Sequence, residues 1–363
     1  MGVSDTYSRG RDLAVERPGA LVVGVVGMLL LLDLIRRLAT GVLDPSQFAT
    51  YVWTGLVIGL VYGLAGIGLS LTYSILNFAN FAHGEYVTTG AFSGWAVAYV
   101  VAGAGAADLG SRLLVQAAPG AIEASITSTP VAIVLGLVAA MVLAVALSLV
   151  LDRVVYKPMR GQEGISLLIA SIGVAFALRY LLSFVFGNST RGVTGGTVKT
   201  TIGGVVLNAH DVTLVVIALV LMLGVHLVLQ TTKLGKAMRA MADNEDLARV
   251  TGIPTERVIR WTWIIGGGLA GAAGYLVVLK RGTIAFDFGW ILLLLIFAAV
   301  ILGGIGSVYG AMLGGVLIGI AENVSLVWLS GPWTDFTTPV AFGLMILILL
   351  FRPEGIFGGV STA

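Results

Sequence analysis

The sequence predicts an all-α fold, a polytopic transmembrane helical bundle of about nine to ten spans. Three observations predict it. Hydrophobic residues make up 57% of the 363 and charged residues only 11%, with a mean hydropathy of +0.99, far outside the range of water-soluble domains. Apolar runs of about 20 residues, the length that crosses the hydrocarbon core as a helix, recur along the whole chain. Glycine is abundant, at 50 residues, and glycine lets membrane helices approach backbone to backbone.

Taken in order, the spans fall at 19–38, 48–72, 85–104, 130–151, 165–186, 212–230, 258–279, 290–305, 308–329 and 336–351. The first follows Arg9, Arg11 and Arg17 and has the form of a signal-peptide core, but no small-residue cleavage site follows it, which favours a retained helix. Residues 1–47 thus form an N-terminal tail plus an extra transmembrane helix, and 48–358 the main transmembrane domain with a long loop at 231–257. Lys and Arg concentrate at 152–163 and 231–257, so these loops are expected in the cytoplasm. Counting outward puts the amino terminus and Arg352 on the same side and turns the loops 105–129 and 187–211 outward. Gly55, Gly59 and Gly63 form one four-residue packing ladder and Gly306, Gly310 and Gly314 another, with Gly315/Gly319 and Gly267/Gly271 as further steps. The general frequency of glycine in membrane helices accounts for part of this pattern.

In the cytoplasmic loop, "MADNEDLARVTGIP" reads as a short helix. Asp243 is placed to cap it with Asp246 at its third position, Gly252 to close it in the left-handed conformation, and Pro254 to forbid continuation. Thr255 is then placed to cap the next span. Such an element is either a plain connection or a docking helix for a cytoplasmic partner.

Several classes are excluded. A net charge of +2 with basic residues scattered among loops argues against nucleic acid as a partner. Without cysteine there is no disulfide, thiolate metal site or thiol nucleophile. The Gly235-Lys236 pair lacks the phosphate-cradling glycine loop, so no ATPase motif is present. His83, His210 and His226 have no metal-ligand spacing, and no hydrolase motif occurs, so neither a metal site nor an enzyme is expected. Arg179 and Glu322 fall at similar depth in their spans and are placed to pair, either as a structural ion pair or along a solute path. Lys280 and Arg281 are expected to anchor a helix end at the outer headgroups.

The stretch "NFANFAHGEYVTTGAF" puts Asn77, Asn80, His83 and Glu85 between two apolar runs. On a helix the first three share one side, and Glu85 stands near a positive helix end. One reading is a polar turn before a capped helix. The other is a broken-helix element whose polar groups face a water-filled path.

The block "LTYSILNFANFAHGEYVTTGAF" resembles the amino-terminal signature of permease subunits of branched-chain amino acid ABC importers, the LivH type. It is followed in order by "DRVVYKPMRG", "GKAMRAMADNEDLARVTGIPTERVI", "AAVILGGIGSVYGAMLGGVLIGIAE" and "LLFRPEGIFG". Most of residues 50–358 is covered, whereas residues 1 to about 45 have no counterpart in the usual pattern. The resemblance implies a multi-pass permease of the prokaryotic plasma membrane that carries no cofactor itself. ATP and magnesium would sit on two cytoplasmic ATP-binding subunits, and a second permease subunit, identical or different, and an extracytoplasmic substrate-binding protein would complete the complex. It also implies that 243–252 is the coupling segment, with Asp243, Glu245, Leu247, Arg249, Val250 and Gly252 as its surface. The implied solute is a branched-chain or other apolar amino acid; urea or short amides on the same machinery, or a stand-alone secondary transporter or channel, are the alternatives. The topology places Asn77, Asn80 and His83 toward the cytoplasm, which favours an inner gate or a structural break over a solute-reading pocket.

Overall fold

The computed structural model describes residues 18–104, 124–192 and 198–358. The outward loop 105–129 therefore lies mostly outside the described residues, as does part of 187–211. A helix stands at each predicted span. In chain order these are α1 (Pro18–Ala39), α2 (Pro45–Leu76), α3 (His83–Ala102), α4 (Pro130–Leu151), α5 (Gly164–Phe186) and α6 (Ala209–Thr231). Two short helices follow, α7 (Lys233–Asp243) and α8 (Glu245–Val250), then α9 (Thr255–Arg281), α10 (Phe288–Gly303), α11 (Val308–Val324) and α12 (Thr337–Phe351). Among the described residues seven helical stretches are long and apolar enough to cross a membrane, while α10 has only 16 residues. Strands are minor: Lys199–Ile202 pairs with Val205–Asn208, and Arg191–Gly192 with Thr283–Ile284, both antiparallel.

Helix α2 begins where Asp44 accepts the Ser46 amide at 2.7 Å and Pro45 occupies the first turn, its fixed φ suiting a helix start. It and α9 are sheathed by protein for most of their length and form the centre. Helices α4, α5 and α6 keep broad apolar faces outward, with Phe184 89% and Val220 62% exposed, as a surface solvated by lipid requires. At the end of the bundle that holds the carboxyl terminus of α9, the end expected to face outward, Asp33 of α1 pairs with Arg36 and Arg37 and accepts the Trp328 indole N–H at 3.0 Å.

Glycine sets the closest approach. Gly55, Gly59 and Gly63 of α2 lie against Gly319, Val316 and Met312 of α11, and a methyl group on Gly59 would fall 2.7 Å from the Val316 Cα. Gly271 of α9 meets both Gly90 of α3 and Ala140 of α4 at similar range. The second ladder is corrected in one position. Gly310 and Gly314 pack on Gly303 and Ala299 of α10, but Gly306 is not helical: it occupies the turn before α11 with φ +87°, and its carbonyl accepts the Ser74 hydroxyl at 2.9 Å. The helix begins one residue after Ser307, whose side chain accepts the Gly310 amide, so the ladder loses its first step. Gly59→Ala should destabilise the purified protein by about 1–3 kcal/mol, because the added methyl meets backbone that cannot yield as a side chain would. Thermal unfolding in detergent measures it, and an unchanged melting point would contradict the close α2–α11 contact.

Candidate coupling face and translocation path

The short helices outside the spans are built by caps. Thr232 accepts the Gly235 amide to start α7, and Asn244, extended at φ −161° and ψ 106°, accepts the Leu247 amide at 2.9 Å to start α8. The predicted cap Asp243 is therefore corrected by one residue: it ends α7, and the side chain at the actual break is Asn244, an equally good acceptor. At the other end Gly252, with φ +86°, donates to the Arg249 carbonyl while Ile253 donates to Ala248, the paired bonds of a Schellman closure. The predicted Thr255 cap is likewise corrected. Thr255 is already the first residue of α9, and Pro254 precedes it without a side-chain cap.

Helix α8 buries Ala248, keeps Glu245 half-buried and turns Asp246, Leu247, Arg249 and Val250 out. Leu247 is 61% and Val250 85% exposed, while Arg249 reaches Glu245 at 2.6 Å and Asp246 at 3.7 Å. Beneath it lies a cavity of about 510 Å³ lined in part by Asn77, Arg160, Gln162, Glu245 and Glu256. A charge network borders it: Glu256 at the base of α9 binds Lys157 at 2.9 Å and Arg160 at 2.6 Å, and Arg160 grips both oxygens of Asp152. Burial disfavours the Arg160 cation, but these carboxylates outweigh it and hold its pKa above the ordinary guanidinium value.

Asn77, Asn80 and His83 do not share a helix face. Asn77 ends α2 in the left-handed conformation, at φ 54°, and the chain runs irregularly to α3, which starts at His83. This segment climbs alongside α5. The Asn77 carbonyl lies against Gly164, the Phe81 amide donates to Ser171 Oγ at 3.0 Å, and Glu85 meets Arg179. From Gly164 to Arg179 is a rise of about 22 Å on a helix. Only Asn77, which is exposed, stands at the α7–α8 end; the placement of the whole stretch there is corrected, because His83 and Glu85 sit deep in the bundle. His83 Nε2 donates to the Ala65 carbonyl at 2.9 Å, some 11 residues before α2 ends.

Beyond Asn77 the polar side chains of this break, Asn80, His83 and Glu85, are wholly buried. Asn80 Oδ1 accepts both the Ala82 amide at 3.0 Å and the Tyr156 hydroxyl at 3.2 Å, and Tyr156 stacks on Trp263 of α9 with ring centroids 5.1 Å apart. The Glu85 carboxylate accepts from Nε and Nη2 of Arg179, both at 3.1 Å, and the guanidinium lies 4.1 Å from the Trp290 ring and 5.1 Å from that of Phe176. The expected Arg179–Glu322 pair is thus corrected. Equal depth brought the two charges to one level, but α5 adjoins the break and α3 while Glu322 faces α2, where it accepts the Tyr62 hydroxyl at 2.8 Å. Lys280, expected at the headgroups, instead binds both oxygens of Asp211 at 2.7 Å. Tyr156, Trp263, Trp290 and the Arg160–Glu256 pair were not singled out from sequence; Tyr156 and Arg160 do fall within the block "DRVVYKPMRG".

Irregular backbone at depth survives in a membrane protein only where protein or a water-lined cavity satisfies it, and here Asn80, Ser171 and Ala65 do so around a break between two helices of a polytopic bundle. Interrupted helices of this kind mark transport proteins. The chain belongs to the family described as the branched-chain amino acid transport system permease component, whose model matches residues 51–349. It is 31% identical to the high-affinity branched-chain amino acid transport system permease protein BraD of Pseudomonas aeruginosa, over 84% of this chain and 94% of that protein. Identity to the permease protein LivH of Escherichia coli is also 31%, over 86% of this chain and 96% of the relative. A shorter likeness, 27% over 124 residues, links it to LivM of the same organism, covering 34% of this chain and 28% of LivM. No solved structure matches the chain. It is a multi-pass membrane permease.

Proposed function

We propose that this chain is the translocation subunit of an ATP-driven importer in a prokaryotic plasma membrane, moving branched-chain or other apolar amino acids handed over by an extracytoplasmic binding protein. The observation that carries the reading is α8, a rigidly capped two-turn helix outside the spans that holds Leu247 and Val250 in solvent. Exposed apolar residues on a fixed element are what a docking helix presents to a partner. Two ATPase chains, holding ATP and magnesium, are the partners proposed for it. A second permease chain completes the pore, and the likeness to both LivH and LivM supports a pair of related permeases.

In this reading, closure of the ATPases displaces α8, and the Schellman turn passes that motion to α9. At the base of α9, Glu256 carries Arg160 and the end of α4 with it, and Trp263 carries Tyr156. Tyr156 holds Asn80, so the break between α2 and α3 shifts when α9 does. Such a contiguous path with a hydrogen-bonded element at its end has the physical form that coupling requires. Asn77 and Asn80 then act as an inner gate, and the deeper His83, Glu85 and Arg179 border the path.

Asn80→Ala strands the Ala82 amide and the Tyr156 hydroxyl, a loss of about 1–3 kcal/mol. It should lower the maximal rate of uptake severalfold with little change in apparent affinity; a rise in half-saturation at unchanged rate would mark Asn80 as a solute contact. The class itself is tested by purification from the native membrane. ATP-binding subunits should accompany the chain, and their absence would favour a stand-alone transporter.

A further inference from the structure

At the outer end, α2, α9, α11 and the start of α12 enclose a hollow of about 290 Å³. Its lining includes Thr54, Tyr62, Lys280, Arg281, Glu322 and Thr337. Two opposite charges face it without neutralising each other. Glu322 accepts the Tyr62 hydroxyl at 2.8 Å and a longer bond from Thr338 at 3.4 Å, both neutral donors. Lys280 is already held by Asp211. Arg281 is exposed, its guanidinium 5.7 Å from the Phe288 ring, and no carboxylate of the described residues lies within ion-pair distance of it. The buried Tyr62 hydroxyl, which holds Glu322, lines the same hollow as Arg281.

We propose that this hollow is an outward-facing subsite for the zwitterionic head of an α-amino acid, with Arg281 taking the carboxylate and Glu322 the ammonium. An amino acid carries these charges on adjacent carbons, so one small molecule satisfies both side chains at once. A neutral amide or urea satisfies neither. The apolar side chain of the cargo then rests toward Ile58 and Leu326, which line the same hollow. Guanidinium and carboxylate give charge-assisted bonds with defined direction, and Tyr62 fixes the Glu322 carboxylate in place. The proposal rests on the importer reading above and assigns the place where cargo released by the binding protein is first held.

The test uses the whole importer, purified with its ATPase and partner permease chains, in proteoliposomes supplied with its binding protein, ATP and tritiated leucine. Glu322→Gln keeps an acceptor for Tyr62 and removes only the charge; Arg281→Ala removes the guanidinium, and Arg281→Lys retains a cation. Glu322→Gln and Arg281→Ala should each reduce leucine uptake at subsaturating binding protein about tenfold, the scale of one charge-assisted bond, while Arg281→Lys keeps a substantial fraction. Uptake within about twofold of wild type in both Glu322→Gln and Arg281→Ala overturns the subsite, as does equal loss in Arg281→Lys and Arg281→Ala. Wild-type complex that imports labelled propionamide as readily as leucine also overturns it. Wild-type complex that imports neither refutes the amino-acid cargo of the importer reading itself, so the two failures are distinguishable.

Discussion

Leu247→Asp should abolish most ATP-driven uptake while leaving the membrane bundle folded. Leu247 is 61% exposed on α8, so the isolated chain loses little from the change. In the assembled importer the same side chain would be buried against an ATPase subunit, where burying a leucine is worth about 1.5–3 kcal/mol and an unpaired carboxylate costs more. The expected result is a fall in uptake of well over about tenfold, with weaker co-purification of the ATP-binding chains. Gly252→Ala approaches the same end differently. A methyl there meets open space, but φ is +86°, and the left-handed conformation costs a non-glycine residue about 1–2 kcal/mol, so the Schellman turn and the aim of α8 should loosen. Asp246→Ala is the control, since that side chain is 93% exposed and only weakly paired. Wild-type uptake in both Leu247→Asp and Gly252→Ala would remove the coupling role from α8.

The second large effect is in the interior. Glu85→Ala should destabilise the protein by about 3–5 kcal/mol, because it leaves the guanidinium of Arg179 without its carboxylate at a buried site. The aromatic faces of Trp290 and Phe176 offset part of that loss and do not replace it. The double variant Glu85→Gln/Arg179→Gln removes both charges and should recover much of the stability, since a buried pair contributes little beyond what neutral groups of similar shape supply. Thermal unfolding in detergent of Glu85→Gln, Arg179→Gln and the double variant forms the cycle. A double variant no more stable than Glu85→Ala would mean the two residues are not energetically coupled.

How far the sequence could be read differs by feature. Each apolar run became a helix because length and hydropathy are local properties and a membrane admits few other structures. The Gly55, Gly59 and Gly63 ladder was visible because a repeat of four keeps one helix face, and the same repeat misled at Gly306, where a turn interrupts the helix. Asn244 was missed as a cap because three capping residues lie close together in "DNED", and only backbone dihedrals say which one leaves the helix. Pairing was the least legible. Arg179 and Glu322 share a depth, but depth is one coordinate; which helices adjoin at that depth is not encoded in either span's own pattern.

By itself, then, the sequence determined the solvent this protein folds in, the place of its apolar helices, the polar interruption after Asn77 and the capped segment before Pro254. These follow from composition, period and turn chemistry along a single stretch of chain. Only the tertiary structure decided that the interruption climbs beside α5 into the bundle, that Glu85 rather than Glu322 meets Arg179, and that Glu322 and Arg281 face one hollow unpaired. The physical reason is that a helix pattern reports which faces are apolar or small, whereas partners at depth are set by the order in which helices pack. That order is settled by close glycine contacts between elements distant in sequence, such as Gly59 against Val316 and Gly90 against Gly271.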